Sequence, residues 1–287
     1  MHLCRRIVCA LSLTLALLSA GCARGLPPLE RNAPATRVLI GAGTLSAEAP
    51  DRLTELARVH RAAALLTLEP GAGGSAPLWR RRTMPGDGAA PASSSSAPLS
   101  SFRVGAAHFC LLDNAAPVAE GDAVALALIN DLSLTRSVWK ILLLARPIAS
   151  GDIAADLDYF GRLLEREGTL LAVSPGATGY ERSRPIGVAP AGAVRYIALP
   201  ATADPAPTPR PWLARTLAEG DYALLDFTSQ QILWRLYDRS GRLLDALEVH
   251  ARDRAASATG LMTYGEVFAA VAASSAPPSE APPSTPP

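Results

Sequence analysis

The chain has 287 residues, 49% of them hydrophobic and 18% charged, with 25 prolines and a formal net charge of +1. That apolar content suffices for a packed core, and the near-neutral balance excludes an electrostatic grip on nucleic acid across the whole chain. The length admits one large domain or two small ones.

At the start, Arg5 and Arg6 precede an apolar run from Ile7 to Leu18, which ends at Ser19-Ala20-Gly21-Cys22. A basic stub, an apolar run and small residues at its exit predict a signal peptide over 1–21. The run is shorter than the roughly 20 residues a membrane-spanning helix needs. Leu18 to Cys22 resembles a bacterial lipobox, so Cys22 is the expected lipidation site and a membrane the expected partner through that anchor. Ala23 after the cysteine, in place of an aspartate, favours the outer membrane, with the domain on its periplasmic or surface face. Residues 22–36, with Pro27, Pro28 and Pro34, read as a tether. Cleavage before Cys22 removes Arg5, Arg6 and no acid, so the net charge moves from +1 to −1. It also removes Cys4 and Cys9, and a lipidated Cys22 leaves Cys110 as the one free thiol. A disulfide framework is thereby excluded, and the fold has to stand on its core.

Beyond the tether, short apolar runs alternate with helical patterns. Strands are predicted at 38–40, 64–68, 108–112, 139–144, 170–173, 194–199, 222–227, 232–238 and 243–249. Helices are predicted at 49–63, 122–132 and 153–167, with a final one at 263–273. The stretch from Pro85 to Ser101, with four consecutive serines, reads as a long loop. The last three strands are close enough to pair as antiparallel hairpins, with Arg239-Ser240-Gly241-Arg242 as a turn. Strands interleaved with helices early and a meander late predict a layered α/β domain over 37–252. A helical segment at 253–273 and a disordered Pro/Ser-rich tail at 274–287 follow it.

Several chemical signals fail on inspection. Gly41-Ala42-Gly43 with Ser46 lacks the third glycine of a dinucleotide fingerprint, although Glu69 ends the next strand where a ribose-binding acid sits. Ser137-Val138-Trp139-Lys140 matches S-x-x-K, but its lysine leads into a strand and not along a helix, and Lys140 is the only lysine in the chain. No G-x-S-x-G occurs. His60 reads as a solvated helix residue, His108 as a core histidine opening a strand and His250 as a strand end, none with a second ligand at metal spacing.

A longer match organises the rest. Ser101 to Asp113, Val138 to Pro147, Ser174 to Arg182 and Val194 to Leu199 follow one another in the order and spacing of the calcineurin-like metallophosphoesterases, and resemble their purple acid phosphatase branch. The segment Ser174-Pro175-Gly176-Ala177-Thr178-Gly179-Tyr180-Glu181-Arg182 is similar to that family's "SGHvHgYER". Looser matches run from Val38 to Gly43, Leu65 to Ser75 and Met84 to Ala89. The resemblance implies an α-β-β-α sandwich of two mixed sheets flanked by helices. It also implies a family chemistry in which two cations clamp a phosphate and activate a water.

The family's ligand positions, carried over residue by residue, fall on Ala42, Pro70, Asp87, Gly88, Ala145, Gly176 and Thr178, with the second motif's tyrosine on Gly73. Of the ligand positions only Asp87 offers a plausible ligand atom, because Ala, Pro and Gly have nothing to donate and a Thr hydroxyl is a poor substitute for imidazole. Neighbouring scaffold positions persist at Tyr180, Glu181, Arg182, Trp139 and Pro147. The expectation is a membrane-tethered lipoprotein with an emptied phosphoesterase domain: no catalytic residue, no metal, no cofactor, no nucleic acid, and a protein or small-molecule ligand of unknown identity. Arg146 and Arg182 are the expected contacts if that ligand carries a phosphate, with structural or solvated roles as the other reading. The competing expectation is an active metal-dependent phosphohydrolase with a relocated or mononuclear site drawn from Asp87, Asp113 or Glu181. For Asp113 and Glu181 a strand-end capping carboxylate and a scaffold ion pair with an arginine such as Arg182 are the simpler roles.

Overall fold

The structure is a computed structural model that describes residues 35–41, 49–69, 78–84, 98–113, 118–146, 157–176, 179–200, 209–251 and 260–275. All of them belong to the unit Ala35–Pro287. Cys22 and most of its tether, Ala42, Pro70, Gly73, Asp87, Gly88, Pro147, Thr178 and residues 276–287 of the C-terminal tail lie outside the described residues, whereas Ser274 and Ser275 close the final helix.

In chain order the elements are β1 (Thr36–Gly41), α1 (Ala49–Val59), β2 (Ala64–Glu69), β3 (Leu78–Thr83), β4 (Leu99–Val104), β5 (Ala107–Leu112), α2 (Ala123–Leu134) and β6 (Trp139–Leu144). A π-helical turn (Leu157–Gly161) runs into α3 (Arg162–Arg166). Then come β7 (Leu171–Gly176), β8 (Tyr180–Ser183), β9 (Arg195–Pro200), β10 (Leu213–Leu217), β11 (Tyr222–Phe227), β12 (Gln231–Tyr237), β13 (Leu243–His250) and α4 (Tyr264–Ser275).

These strands form two mixed sheets. The first has the order β13-β12-β11-β1-β2-β3 and the second β10-β8-β9-β7-β6-β5-β4. In the second, β5, β6, β7 and β9 run parallel, and β4, β8 and β10 pair antiparallel around them. In the first, β1 and β2 are parallel and the remaining pairs antiparallel, with Thr36 of β1 facing Phe227 of β11.

Two-sided burial explains the composition of the inner strands. All six residues of β7, β9 and β11 are buried, so they read as mostly apolar runs without alternation, with Ser174, Arg195 and Asp226 as the polar exceptions. The facing sides of the sheets meet in one core, with Val38, Ile40 and Leu225 from the first sheet against Phe109, Ile141 and Val173 from the second. Helix α1 covers the outer side of the first sheet with Leu53 and Ala57. On the outer side of the second, Ala125, Leu128 and Leu132 of α2 share one helical face and pack with Leu142 and Leu144, as do Tyr264 and Val267 of α4. The architecture is the expected one: two mixed sheets, face to face, with few flanking helices.

Three polar ties cross the apolar core. The Trp139 indole donates to the Thr228 carbonyl at 2.6 Å and the Trp79 indole to the Leu144 carbonyl at 2.7 Å. Tyr180 and Arg182 of β8 both donate to the Asp245 carboxylate on β13.

Some elements differ from expectation. Strands β3, β8 and β10 were not predicted, because Arg80-Arg81-Arg82, Glu181-Arg182 and Arg215 break the apolar pattern; β3 and β10 are sheet edges, where one flank needs no strand partner. The long loop ends earlier than Ser101, since β4 begins at Leu99 and hairpins to β5 through Gly105. Gly105 sits at φ +53°, a left-handed turn position that glycine fills without strain. The described part of the expected 153–167 helix opens as a π-turn before it becomes α-helical.

Candidate functional site

The positions singled out by the phosphoesterase resemblance map to the C-terminal ends of parallel strands, where open α/β sheets place their ligands. Gly41 and Glu69 are the last residues of β1 and β2, Ala145 follows β6, and Gly176 ends β7. Trp79 lies opposite Leu68 in the β2–β3 hairpin, and its indole bond to the Leu144 carbonyl brings the end of β2 beside the end of β6. The two sheets therefore contribute to one rim.

At that rim the described family positions hold no donor side chain. Ala145 is a buried methyl whose N–H donates to the Leu112 carbonyl at 3.1 Å. Gly176 is closed in by backbone: a Cβ there would stand 3.1 Å from the Gly179 carbonyl oxygen, 3.2 Å from that of Leu199 and 3.3 Å from the Ala198 methyl. A side chain at this position requires those neighbours to give by a few tenths of an ångström. These two residues do not fit a two-metal centre of the family's kind. Arg146 is half-buried just past β6 and Asp113 half-buried just past β5.

Arg182 is committed elsewhere. Its Nε and Nη2 donate to Asp245 Oδ2 and Oδ1 at 2.7 and 3.0 Å, in the two-pronged geometry that suits a carboxylate. Tyr180, fully buried, donates its hydroxyl to the same carboxylate at 2.7 Å, and burial first, then the Asp245 charge, push its pKa well up. Tyr180 and Arg182 of the Tyr-Glu-Arg segment thus tie the sheets together.

Glu181 points to the opposite side of β8 from Arg182, so Arg182 is not its partner; the arginine whose charge acts on it is Arg210. Glu181 lines a cavity of about 10 Å³ with Ser174, Ser183 and Tyr196, room for little more than one water molecule. Burial raises its carboxyl pKa, with Arg210 pulling the other way.

The three described histidines are all engaged. His60 is half-buried and packs its ring 5.9 Å from Tyr222 and 6.5 Å from Tyr237, so it is not the solvated residue its neighbours suggested. Burial, then Arg37 and Arg235, lower its pKa. His250 meets Glu248 at 2.8 Å. His108 is buried, as expected, but beside two groups the sequence reading did not connect to it, Cys110 and Asp131. The available signal was the i, i+2 spacing of His108 and Cys110 on a predicted strand, which puts both on one face.

No protein-family model matches the sequence, and no curated protein matches it. Among solved structures, the chain is similar to the purple acid phosphatase PPD1 isolated from yellow lupin (Lupinus luteus) seeds, at 13% identity and a TM-score of 0.57 over 80% of this chain. It spans 56% of that protein's length. It is also similar to GAP50, the anchor in the inner membrane complex of Plasmodium, at 10% identity and a TM-score of 0.51, over 79% of this chain and 96% of that one. At these identities the likeness is one of fold: two facing mixed sheets with few flanking helices, the calcineurin-like metallophosphoesterase architecture.

Proposed function

We propose that this chain is a lipid-anchored protein whose phosphoesterase-like domain acts by binding and not by turnover. The observation that carries this reading is the bare glycine at position 176, crowded by the Gly179 and Leu199 carbonyl oxygens, where the family pattern asks for a histidine. Ala145 supports it, as a methyl in the second histidine position. So does the use of Arg182 in holding Asp245, which makes the persistence of Tyr180 and Arg182 a matter of scaffold. GAP50 is a precedent for an anchor with this fold.

In this reading Cys22 carries the lipid and residues 22–36 hold the domain at the periplasmic or surface face of a membrane, the outer membrane being favoured. Among the described residues no helix is long and apolar enough to cross a membrane. The partner at the rim is a protein or a small molecule.

The test is a phosphomonoester assay on the full chain with added manganese, iron or zinc, run on the wild type and on Cys110→Ser, so that metal held through that thiol does not confuse the result. No turnover in either is expected. Metal-dependent turnover abolished by Asp87→Ala would replace this reading with an active phosphohydrolase built around a relocated site.

A further inference from the structure

On the outer side of the second sheet, away from the rim, four donor atoms converge. His108 and Cys110 stand at alternate positions of β5, and Ser101 lies directly across from Cys110 on β4. Asp131 reaches down from α2, one residue before the buried Leu132. Its Oδ2 lies 2.6 Å from His108 Nε2 and 3.0 Å from Cys110 Sγ, and its Oδ1 accepts from Ser101 Oγ at 2.6 Å. Among the described residues, this is the only group of three His, Cys, Asp or Glu side chains whose ligand atoms all lie within 4.8 Å of one another.

The carboxylate is the hub of this arrangement, and that decides its chemistry. A thiol nucleophile needs its proton taken by the imidazole. Here the thiol donates to Asp131 and the imidazole nitrogen also faces Asp131, so no Cys–His pair is set up. Burial, then the hydrogen bond to Asp131, keep the thiol protonated and unreactive. What remains is a nitrogen, a sulfur and an oxygen aimed at one point, with a hydroxyl beside them.

We propose that Ser101, His108, Cys110 and Asp131 form a binding site for one zinc-class divalent cation. Imidazole and thiolate are the ligands such ions select, and a carboxylate completes three protein ligands, with the Ser101 hydroxyl or a water in the fourth place. Zinc bonds of about 2.0–2.3 Å set neighbouring donors roughly 3.3–3.7 Å apart. The Asp131 oxygen therefore has to draw back by less than about 1 Å to admit the ion, and α2 carries it at the surface. The Asp131 side chain is 23% exposed, which gives the ion its way in.

Charge balance favours the exchange. The thiol gives up its proton and binds as thiolate, and His108 Nε2 turns a lone pair to the ion in place of its contact with the Asp131 carboxylate, so at least one proton leaves per cation bound. A thiolate and a carboxylate then neutralise a divalent charge. Two cationic side chains stand nearby and both turn to carbonyls: Lys140 Nζ donates to the Leu132 and Glu167 oxygens at 2.7 Å each, and Arg103 Nε to the Gly105 oxygen at 3.1 Å. The bound ion would cross-link α2 to β4 and β5.

The experiment is titration of the metal-stripped full chain with zinc and, for its spectrum, with cobalt. One ion per chain, at least one proton released per ion and a thiolate-to-cobalt charge-transfer band in the near ultraviolet are expected. Cys110→Ser should lose the band, and both it and Asp131→Asn should bind zinc at least about 100-fold more weakly. Circular dichroism of each variant separates loss of a ligand from loss of the fold, and the partly exposed Asp131→Asn serves if Cys110→Ser does not fold. No uptake by the wild type, or unchanged affinity in Asp131→Asn, would overturn the proposal. A band that survives Cys110→Ser would assign the metal to Cys4, Cys9 or Cys22 and overturn it equally.

Discussion

Arg182 and Asp245 lie on different sheets and meet through two hydrogen bonds, Nε to Oδ2 and Nη2 to Oδ1, with side chains only 15% and 7% exposed. Removing one member of a buried pair strands the other's charge. Arg182→Ala should therefore lower the stability of the domain by about 3 kcal/mol, read by urea unfolding. It should leave any affinity for inorganic phosphate unchanged. Phosphate that stabilises the wild type but not Arg182→Ala would return this arginine to the role of phosphate contact.

The backbone around Gly176 makes a second prediction. A methyl group there presses on two carbonyl oxygens, and Gly176→Ala should cost about 1–3 kcal/mol, the range for overpacking. Restoring the family's side chains with Ala145→His and Gly176→His together should yield a destabilised protein without phosphatase activity. A thermal melt and a phosphomonoester assay on the pair check both halves.

Trp79 acts through a single polar contact. Its indole N–H caps the Leu144 carbonyl at 2.7 Å in a buried setting. Trp79→Phe keeps most of the ring and removes the donor, leaving that oxygen unmet at a cost of about 1–3 kcal/mol. Calorimetry of the variant gives the number. A change within error would mean that water reaches the strand end.

Glu181 sets a pH dependence of unusual sign for a carboxylate. Its pKa in the folded chain is raised by burial above the ordinary 4.5, so at neutral pH the fold holds a charge it disfavours. Stability gained through this group therefore rises as pH falls through the folded pKa and levels off below the unfolded one. Glu181→Gln should be more stable than the wild type at neutral pH, and the difference should vanish in mild acid. Melting curves of both proteins across that range test it, and an advantage that persists in acid would point to packing as its source.

How much of this was legible beforehand depends on what each residue answers to. Trp139–Leu144 and Tyr222–Phe227 match their predicted bounds, because strands buried on both faces carry a strong apolar signal that a single Lys140 or Asp226 does not break up. Strands β3 and β8 stayed hidden because Arg81 stacks on Phe102 and Arg182 pairs with Asp245, contacts that make charged residues compatible with burial. The ordered motifs from Ser101 onward carried the architecture. The His108 cluster was half visible: strand periodicity relates His108 to Cys110, but Asp131 joins them only once α2 is laid across β5. The closure of Gly176 was not visible at all, since it depends on the carbonyls of Gly179 and Leu199 in space.

The pairing of β1 with β11 bears on how the chain reaches this state. β1 is made first, yet one of its two neighbours in the sheet comes from the last third of the domain. Until Tyr222–Phe227 arrives, Leu39 and Ile40 sit on a strand with one open row of backbone donors and acceptors. Contacts that span so much of the chain close late and slowly. The waiting period is therefore when this protein is most exposed to self-association, and any factor that shields the β1 edge during synthesis has a larger effect on yield than one that stabilises the finished fold.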